Sequence, residues 1–483
     1  MRSVGLRGAL LPLLPLLPLL PVVALLASCA VGPRYVPPQA GVPAGFDAAR
    51  GAYFAQDTVA PGLWRSFGDP GLEALIERAL LENRGLGQAQ ARLAEARALR
   101  GLTVYGLFPT VTAAADRERN QPSRFDPFLP PDQPSTTVYR AGFDAAWELD
   151  LFGASRSAAK AAFGEADAAE ADLQALRIST AAEVAQAWFS LRGARQRRAV
   201  LARTLANAED DARILQASME AGRGTELDVA RSRTLGATIA AQLPEVEAQI
   251  IRHEQRLAVL AALPVEDVRA RLPDPGLPLP APGSVVAIGT PVEWLARRPD
   301  VRAAERRLAV ATARVGVETA DFFPRVSLLG SFGYTAQARG SLFDSSAQRW
   351  SYGPSLSWSF LDVGRVRQRV RAAEARNAGA LAAFDETVLR ALEETENALA
   401  AYRSASEALA ASEAGLAASG RALELAQARH AAGASDYLVV LDTERTRLDF
   451  ESRCIELRVA RATALAALHK ALAGDFTIPA EAR

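Results

Sequence analysis

Histidine and cysteine are scarce. The 483 residues contain three histidines, His253, His430 and His469, and two cysteines, Cys29 and Cys454. The histidines lie far apart, each within a helical pattern, so a histidine-rich metal centre or a histidine-based catalytic triad has too little material. Each reads most simply as a helix-surface residue. If Cys29 has another use, Cys454 is a lone thiol, expected to be buried and unable to form an intrachain disulfide. Charge of one sign is missing as well: 55 basic side chains balance 55 acidic ones. That balance argues against nucleic acid or an anionic surface held by bulk electrostatics. A nucleophile and base pair, a metal cluster and a phosphate loop are all lacking, so neither an enzyme nor a resident cofactor is expected.

One long apolar run, ALLPLLPLLPLLPVVALLASC at 9 to 29, follows Arg2 and Arg7 and is interrupted by Pro12, Pro15, Pro18 and Pro21. Those prolines disfavour a permanent spanning helix, whereas a cleaved export signal needs only brief apolar engagement. The run ends in Leu26-Ala27-Ser28-Cys29, which resembles the bacterial lipobox. The resemblance implies that residues 1–28 are removed and that Cys29 carries a covalent lipid. Ala30, rather than Asp, implies an outer-membrane destination. The plain alternative is an ordinary signal peptide beside a chance cysteine.

The chain repeats itself. QAQARLAEARALRGLTVYGLFPTV, 88 to 111, lies over RAAERRLAVATARVGVETADFFPRV, 302 to 326, with Leu93 on Leu308, Gly101 on Gly316 and Phe108-Pro109 on Phe323-Pro324. WELDLFG at 147 to 153 lies over WSFLDVG at 358 to 364, and Ala221-Gly222 over Ala432-Gly433. Each half therefore reads helix, strand, loop, strand, long helix, tip turn, helix.

Alternation marks the strands, because successive side chains of a strand point to opposite faces. In SYGPSLSWSF, 351 to 360, Ser351, Ser355, Ser357 and Ser359 alternate with Tyr352, Pro354, Leu356, Trp358 and Phe360. Tyr139, Phe143 and Trp147 alternate with Arg140, Asp144 and Glu148 in a second strand, and Val326, Leu328 and Phe332 with Arg325, Ser327 and Ser331 in a third. A fourth, Thr110 to Arg119, is assigned from its place in the repeat. The expected strands are about 109–120, 137–151, 324–334 and 350–361, with a bulge or break at Pro354. Each is long enough to cross a bilayer when tilted, and Trp147, Trp350 and Trp358 suit an aromatic band at a lipid boundary. Four strands cannot close a membrane barrel, so the chain must oligomerise, and a trimer supplies about twelve.

The rest is helix. Residues 154–220 and 365–431 run without proline, each roughly 100 Å long at 1.5 Å per residue. Leu381, Phe384, Val388, Leu392, Thr395, Leu399 and Tyr402 step at close to the coiled-coil period. A soluble helical bundle is the simpler reading of that pattern alone, whereas abundant alanine between these positions suits helices packed on both sides, as in a tube.

These residues resemble the outer membrane efflux lipoproteins of the NodT kind, within the TolC superfamily. The resemblance is carried by CAVGPRYVPP (29–38), WRSFGDPGLEALIERALLENRGL (64–86), WELDLFG, RRPDVRAAERRLAVATARVGVETADFFPRVSL (297–328), GPSLSWSFLDVGR (353–365) and DYLVVLDTERTR (436–447). It implies a mainly α protein with a membrane β-barrel: a homotrimer with a twelve-stranded barrel, four strands per chain, continued by a long helical barrel into the periplasm. Its divisions would be an N-terminal anchor and equatorial segment (29–75), a first repeat (76–270), a linker (271–298), a second repeat (299–473) and a tail (474–483). The implied function is a passive outer membrane duct for drugs or other small toxic solutes. A periplasmic adaptor and an inner-membrane pump, of the RND type in this branch, would open it. A protein-secretion duct and a periplasmic structural lipoprotein are the alternatives.

The resemblance also implies roles. Tyr139, Phe143, Trp147, Tyr352, Leu356, Trp358 and Phe360 would face outer membrane lipid, and Ser351, Ser355, Ser357 and Ser359 the lumen. Residues 121–136 and 335–349 would be extracellular loops. Matching DYLVVLDTERTR to the family pattern places Leu438 and Asp442 at a periplasmic gate, with Arg445 one turn on. Arg231, the repeat equivalent of Asp442, is a candidate counter-charge. An ordinary pairing of Asp442 with Arg445 on a solvated helix is the alternative. Gly222 and Gly433 would allow the tip turns an adaptor grips, though glycine at a helix end is also simply a cap. Arg365, Arg367, Arg369 and Arg371 either line the tunnel or are solvated.

Overall fold

The computed structural model describes residues 31–39, 41–55, 67–123, 125, 127, 134–274, 279 and 285–473. In chain order its elements are β1 Phe54–Ala55, α1 Pro70–Glu82, α2 Arg84–Tyr105, β2 Thr110–Asn120, β3 Thr136–Leu149 and α3 Ala154–Glu220. There follow α4 Glu226–Ala261, α5 Val265–Ala270, β4 Val286–Ala287, α6 Pro291–Arg297, α7 Pro299–Ala320, β5 Arg325–Ala336, β6 Gln348–Ser357, α8 Val363–Ala431 and α9 Tyr437–Ala471. The order helix, two strands, long helix, helix thus occurs twice, and the long helices α3 and α8 hold 67 and 69 residues. The chain forms two compact units. One comprises Met1–Gln39, Leu93–Ala169 and Ala303–Phe384, the other Ala40–Arg92, Glu170–Arg302 and Asp385–Arg483.

The first unit contains a four-stranded antiparallel sheet of order β2-β3-β5-β6. Its register sorts the side chains. Ala113, Phe143, Phe332 and Trp350 lie opposite one another across the four strands, as do Trp147, Leu328 and Pro354. Tyr139, Tyr352 and Leu356 share that apolar face. The other face carries Asp144, Ser331 and Ser351 in one row and Glu148, Ser327 and Ser355 in the next. There Ser331 and Ser351 join hydroxyls at 2.8 Å, and Arg140 pairs with Asp116 and Glu118 at 3.0 and 2.8 Å.

Two expectations need correction. The ladder passes Pro354 without a bulge, pairing it with Leu328 between Gly353–Leu329 and Ser355–Ser327. β6 is an edge strand, so a residue lacking an N–H keeps its place by turning its nitrogen to the free side. Also, β6 stops at Ser357, opposite Arg325, the first residue of β5. Trp358, Ser359 and Phe360 therefore lie beyond the strand although the alternation continues through them, and Phe360 opens a 3-10 turn, Phe360–Asp362. Strand geometry ends where its hydrogen-bonding partner ends. The Trp358 indole instead donates to the Phe322 carbonyl at 3.1 Å, and Trp147, its counterpart in the repeat, donates to the Leu107 carbonyl at 2.9 Å. Both tryptophans, Trp147 within β3 and Trp358 just past β6, thus tie the end of a strand to the turn before Phe-Pro of their own repeat.

The second unit is built on buried helix faces. Along the part of α8 in this unit, Val388, Leu399 and Tyr402 are buried and Thr395 fully so; in the part of α8 that belongs to the first unit, Phe384 is buried whereas Leu381 is exposed. Asp69 caps α1, accepting from the Gly71 and Leu72 amides. Its other oxygen accepts from the Trp188 indole at 2.8 Å and the Arg192 guanidinium at 2.5 Å, joining α1 to α3. Farther along, the Ala471 carbonyl accepts from both the Trp294 indole and Arg298, at 2.7 and 2.8 Å. Arg298 also pairs with Asp300 and Glu394, and Lys470 with Glu394. Burial alone would raise the Glu394 carboxyl, but hydrogen bonds from Lys470 and Arg298 hold it below its ordinary range. Cys454 is a buried free thiol. His430 is exposed at the end of α8 and His253 half-buried, but His469 is not a surface residue. It lies 4% exposed, edge-on to Phe67, with no hydrogen-bond partner at either ring nitrogen among the described residues, because the last turns of α9 pack inward as Leu465, Leu468 and Ala471 do.

Two predictions follow from this unit. Asp69→Ala strips Arg192 of a buried carboxylate and the helix of its cap, and is expected to destabilise the fold by about 3 kcal/mol, measured by thermal unfolding with far-UV circular dichroism. Burial pushes the His469 pKa down from 6.5 to about 4. The unfolded chain therefore binds the proton more readily, and stability should fall as pH drops through that interval and stay level above it. His469→Phe should flatten this slope.

Candidate functional site

The helix tips repeat one geometry. At the end of α3, the Gly222 amide donates to Met219 and the Arg223 amide to Ser218, with Gly222 at φ +73. At the end of α8, Gly433 donates to His430 and Ala434 to Arg429, with Gly433 at φ +72. This is the glycine cap that satisfies the last carbonyls and lets the chain turn back. Past the turns, Thr225 forms a capping box with Asp228 to start α4. Before α9, His430 packs edge-on against Tyr437, ring centroids 5.1 Å apart, with Nδ1 3.1 Å from the Ser435 carbonyl.

Leu438, Asp442 and Arg445 step along one exposed face of α9. The opposite face is committed: Val440, Leu441 and Leu448 are buried, and Leu448 and Ile455 join Val200, Leu201, Ile239 and Val246 in a hydrophobic cluster. Asp442 and Arg445 form no ion pair with each other among the described residues, although their spacing would allow one. Arg231 on α4 is exposed and likewise has no ion pair within the chain among those residues. The structure therefore leaves these side chains free to meet other copies.

A polar cluster that sequence reasoning missed lies beside them. Tyr437 is packed beside Asp211 of α3, and burial first, then the nearby carboxylate, hold its hydroxyl well above its ordinary pKa. Glu444 is raised by burial and by the Asp211 charge, against the pull of Arg447. Glu451 completes the row, taking Arg447 at 3.2 Å and Arg203 at 2.6 Å. Tyr437, Glu444, Arg447 and Glu451 share a helical spacing visible in the sequence, but nothing local ties them to Asp211.

On the sheet, the apolar face has no covering layer among the described residues. Phe143, Trp147, Trp350, Tyr352 and Leu356 are exposed, Tyr352 at 83%. A soluble sandwich would pack this face against a second sheet. Trp358 and Phe360 are exposed too, in the turn below the strands. Of the arginines after β6, Arg369 pairs with Asp321 at 2.8 Å and Arg365 with Asp362 at 3.3 Å, while Arg367 and Arg371 are exposed. No grouping of metal-binding side chains occurs among the described residues, and no described helix is long and apolar enough to cross a membrane. Cys29 lies outside the described residues.

The pattern of the family described as Outer membrane efflux protein matches residues 75–263 and 290–474. The outer membrane protein OprJ of Pseudomonas aeruginosa is 34% identical over 461 residues, covering 93% of this chain and 94% of its own. The pyoverdine export outer membrane protein OpmQ of the same organism is 30% identical, covering 86% and 87%. The solved structure of the outer-membrane channel OprN superposes with a TM-score of 0.86 at 39% identity, over 92% of this chain and 99% of that one. With an open apolar sheet, paired long-helix repeats and matches across nearly its whole length, this chain belongs to the outer membrane efflux protein family.

Proposed function

We propose that three copies of this chain form a passive outer membrane duct that an adaptor and an inner-membrane pump open at its periplasmic end. One observation carries the reading. The sheet exposes most of its apolar face and, among the described residues, leaves β2 and β6 as unpaired edges. Hydrocarbon cannot satisfy those backbone groups, and only closure into a barrel removes both edges at once. Three sheets supply about twelve strands, within the range of membrane barrels. Tyr139, Phe143, Trp147, Tyr352 and Leu356 then face lipid, with Trp358 and Phe360 at its lower boundary. Ser351, Ser355 and Ser357 line a lumen whose small hydroxyls pass varied solutes without holding them.

At the other end, Leu438, Asp442 and Arg445 narrow the mouth. Three-fold symmetry makes Asp442 a ring of like charges, whose repulsion needs counter-charges from Arg445 or Arg231 of neighbouring helices to remain shut. The Gly222 and Gly433 turns are where the adaptor grips. Cys29 anchors the chain by lipid. OprJ and OpmQ are similar along nearly their whole length although only OpmQ is named for pyoverdine export. That supports cargo selection by the pump, here of the RND type, with drugs or other small toxic solutes as cargo.

Planar-bilayer recording of the detergent-extracted protein tests this reading. The unaltered chain should extract as a trimer with small, flickering conductance, and Asp442→Ala should conduct severalfold more. Monomeric extraction without conductance would replace the duct by a scaffold role. Tyr437→Phe removes the buried hydroxyl beside the Asp211 carboxylate and should weaken the tip by about 1 kcal/mol, seen as faster limited proteolysis at the 221–225 and 432–436 turns.

A further inference from the structure

The apolar face of the sheet is not evenly filled. Ala113, Ala115 and Ala141 floor a depression of about 360 Å³, walled by Phe143, Phe332, Tyr334 and Phe343. Register places Ala113 opposite Phe143 and Phe332, and Ala115 opposite Ala141 and Tyr334, so floor and walls share one face. Phe343, from the loop joining β5 to β6, meets Tyr334 edge-on at 5.4 Å and rises over the loop end of the groove.

At that same end, charge is sorted by face. Asp116 and Glu118 lie on the opposite side, where Arg140 pairs with both. Arg117 and Arg119 of the same strand lie on the apolar side. The Arg117 guanidinium sits 5.7 Å over the Tyr139 ring, and Arg119 donates to the Ser135 hydroxyl at 3.1 Å. Neither meets a carboxylate among the described residues. Barrel closure brings none from the strand that would join β2, because β6, QRWSYGPSLS, contains no acid. Arginine on a lipid face is tolerated only near the headgroups, so these two belong at the rim, above an apolar groove.

Resting on the barrel reading, we infer that this groove binds one phosphate-bearing lipid of the outer leaflet. An acyl chain lies on the alanine floor between the aromatic walls. The phosphate accepts hydrogen bonds from Arg117 and Arg119, whose planar donors match its oxygens. The loops lie at the strand ends away from the helices, so in the barrel this rim faces the exterior. Apolar walls ending in paired cations complement an anionic amphiphile rather than a neutral one.

The full-length protein in detergent, titrated with lipid A and followed by native mass spectrometry, tests the site. One lipid should bind per chain. Arg117→Gln with Arg119→Gln should weaken binding at least tenfold, and dephosphorylated lipid A should bind the unaltered protein as poorly. Ala113→Phe with Ala115→Phe should abolish lipid binding by filling the groove. Equal binding by all variants and both lipids, or inorganic phosphate binding as tightly as lipid A, would overturn the proposal. Conductance of the same preparations reads the barrel separately: conducting trimers without selective lipid binding overturn the site alone, while an unaltered chain that never conducts overturns both.

Discussion

An unpaired backbone group in hydrocarbon is the constraint on which the rest of this architecture depends. A sheet of order β2-β3-β5-β6 has two free edges, and its apolar face cannot remain in water without aggregating. In lipid the face is satisfied and the edges are not; in water the reverse holds. Closure with other copies is the arrangement that meets both demands. Oligomerisation is therefore a condition of the sheet's existence in the membrane.

Repetition spreads this constraint through the chain. Each repeat supplies two strands and a pair of helices, and each uses a tryptophan in the same way, Trp147 to the Leu107 carbonyl and Trp358 to the Phe322 carbonyl. The indole is apolar enough for a lipid boundary and still satisfies a backbone oxygen where the chain leaves the strand. In the helical unit, order comes from buried polar links: Asp69 to Trp188 and Arg192, and the Ala471 carbonyl to Trp294 and Arg298. Such links cost more to leave half-made than they contribute when complete, and so select one packing among many that would bury alanine equally well.

The tips show where the repeats diverge. Gly222 and Gly433 adopt the same left-handed turn, but Thr225 caps α4 with a full capping box whereas Asp436 caps α9 without a side-chain hydrogen bond. The second tip is held instead by His430, which packs edge-on against Tyr437 and lies 3.1 Å from the Ser435 carbonyl. The two tips thus share a turn but differ in how the following helix is started.

Much of this was legible from periodicity. Alternation predicted three of the strands, the repeat supplied the fourth, and the same alternation sorted Tyr139, Phe143, Trp147, Tyr352 and Leu356 from Ser351, Ser355 and Ser357, because the two-residue repeat of a strand is a property of its backbone. The stepping of Phe384, Val388, Thr395, Leu399 and Tyr402 predicted a buried seam for the same kind of local reason, and the tip glycines followed from the left-handed turn. Tertiary structure alone decided where alternation stops being strand, since β6 ends with its partner β5 and not with its pattern. It also decided that His469 is buried, that Pro354 sits quietly on an edge, and that Asp69 meets Arg192 across 123 residues of chain. Partners so distant leave no trace in local spacing, because packing and hydrogen-bond geometry choose them only once the helices are side by side.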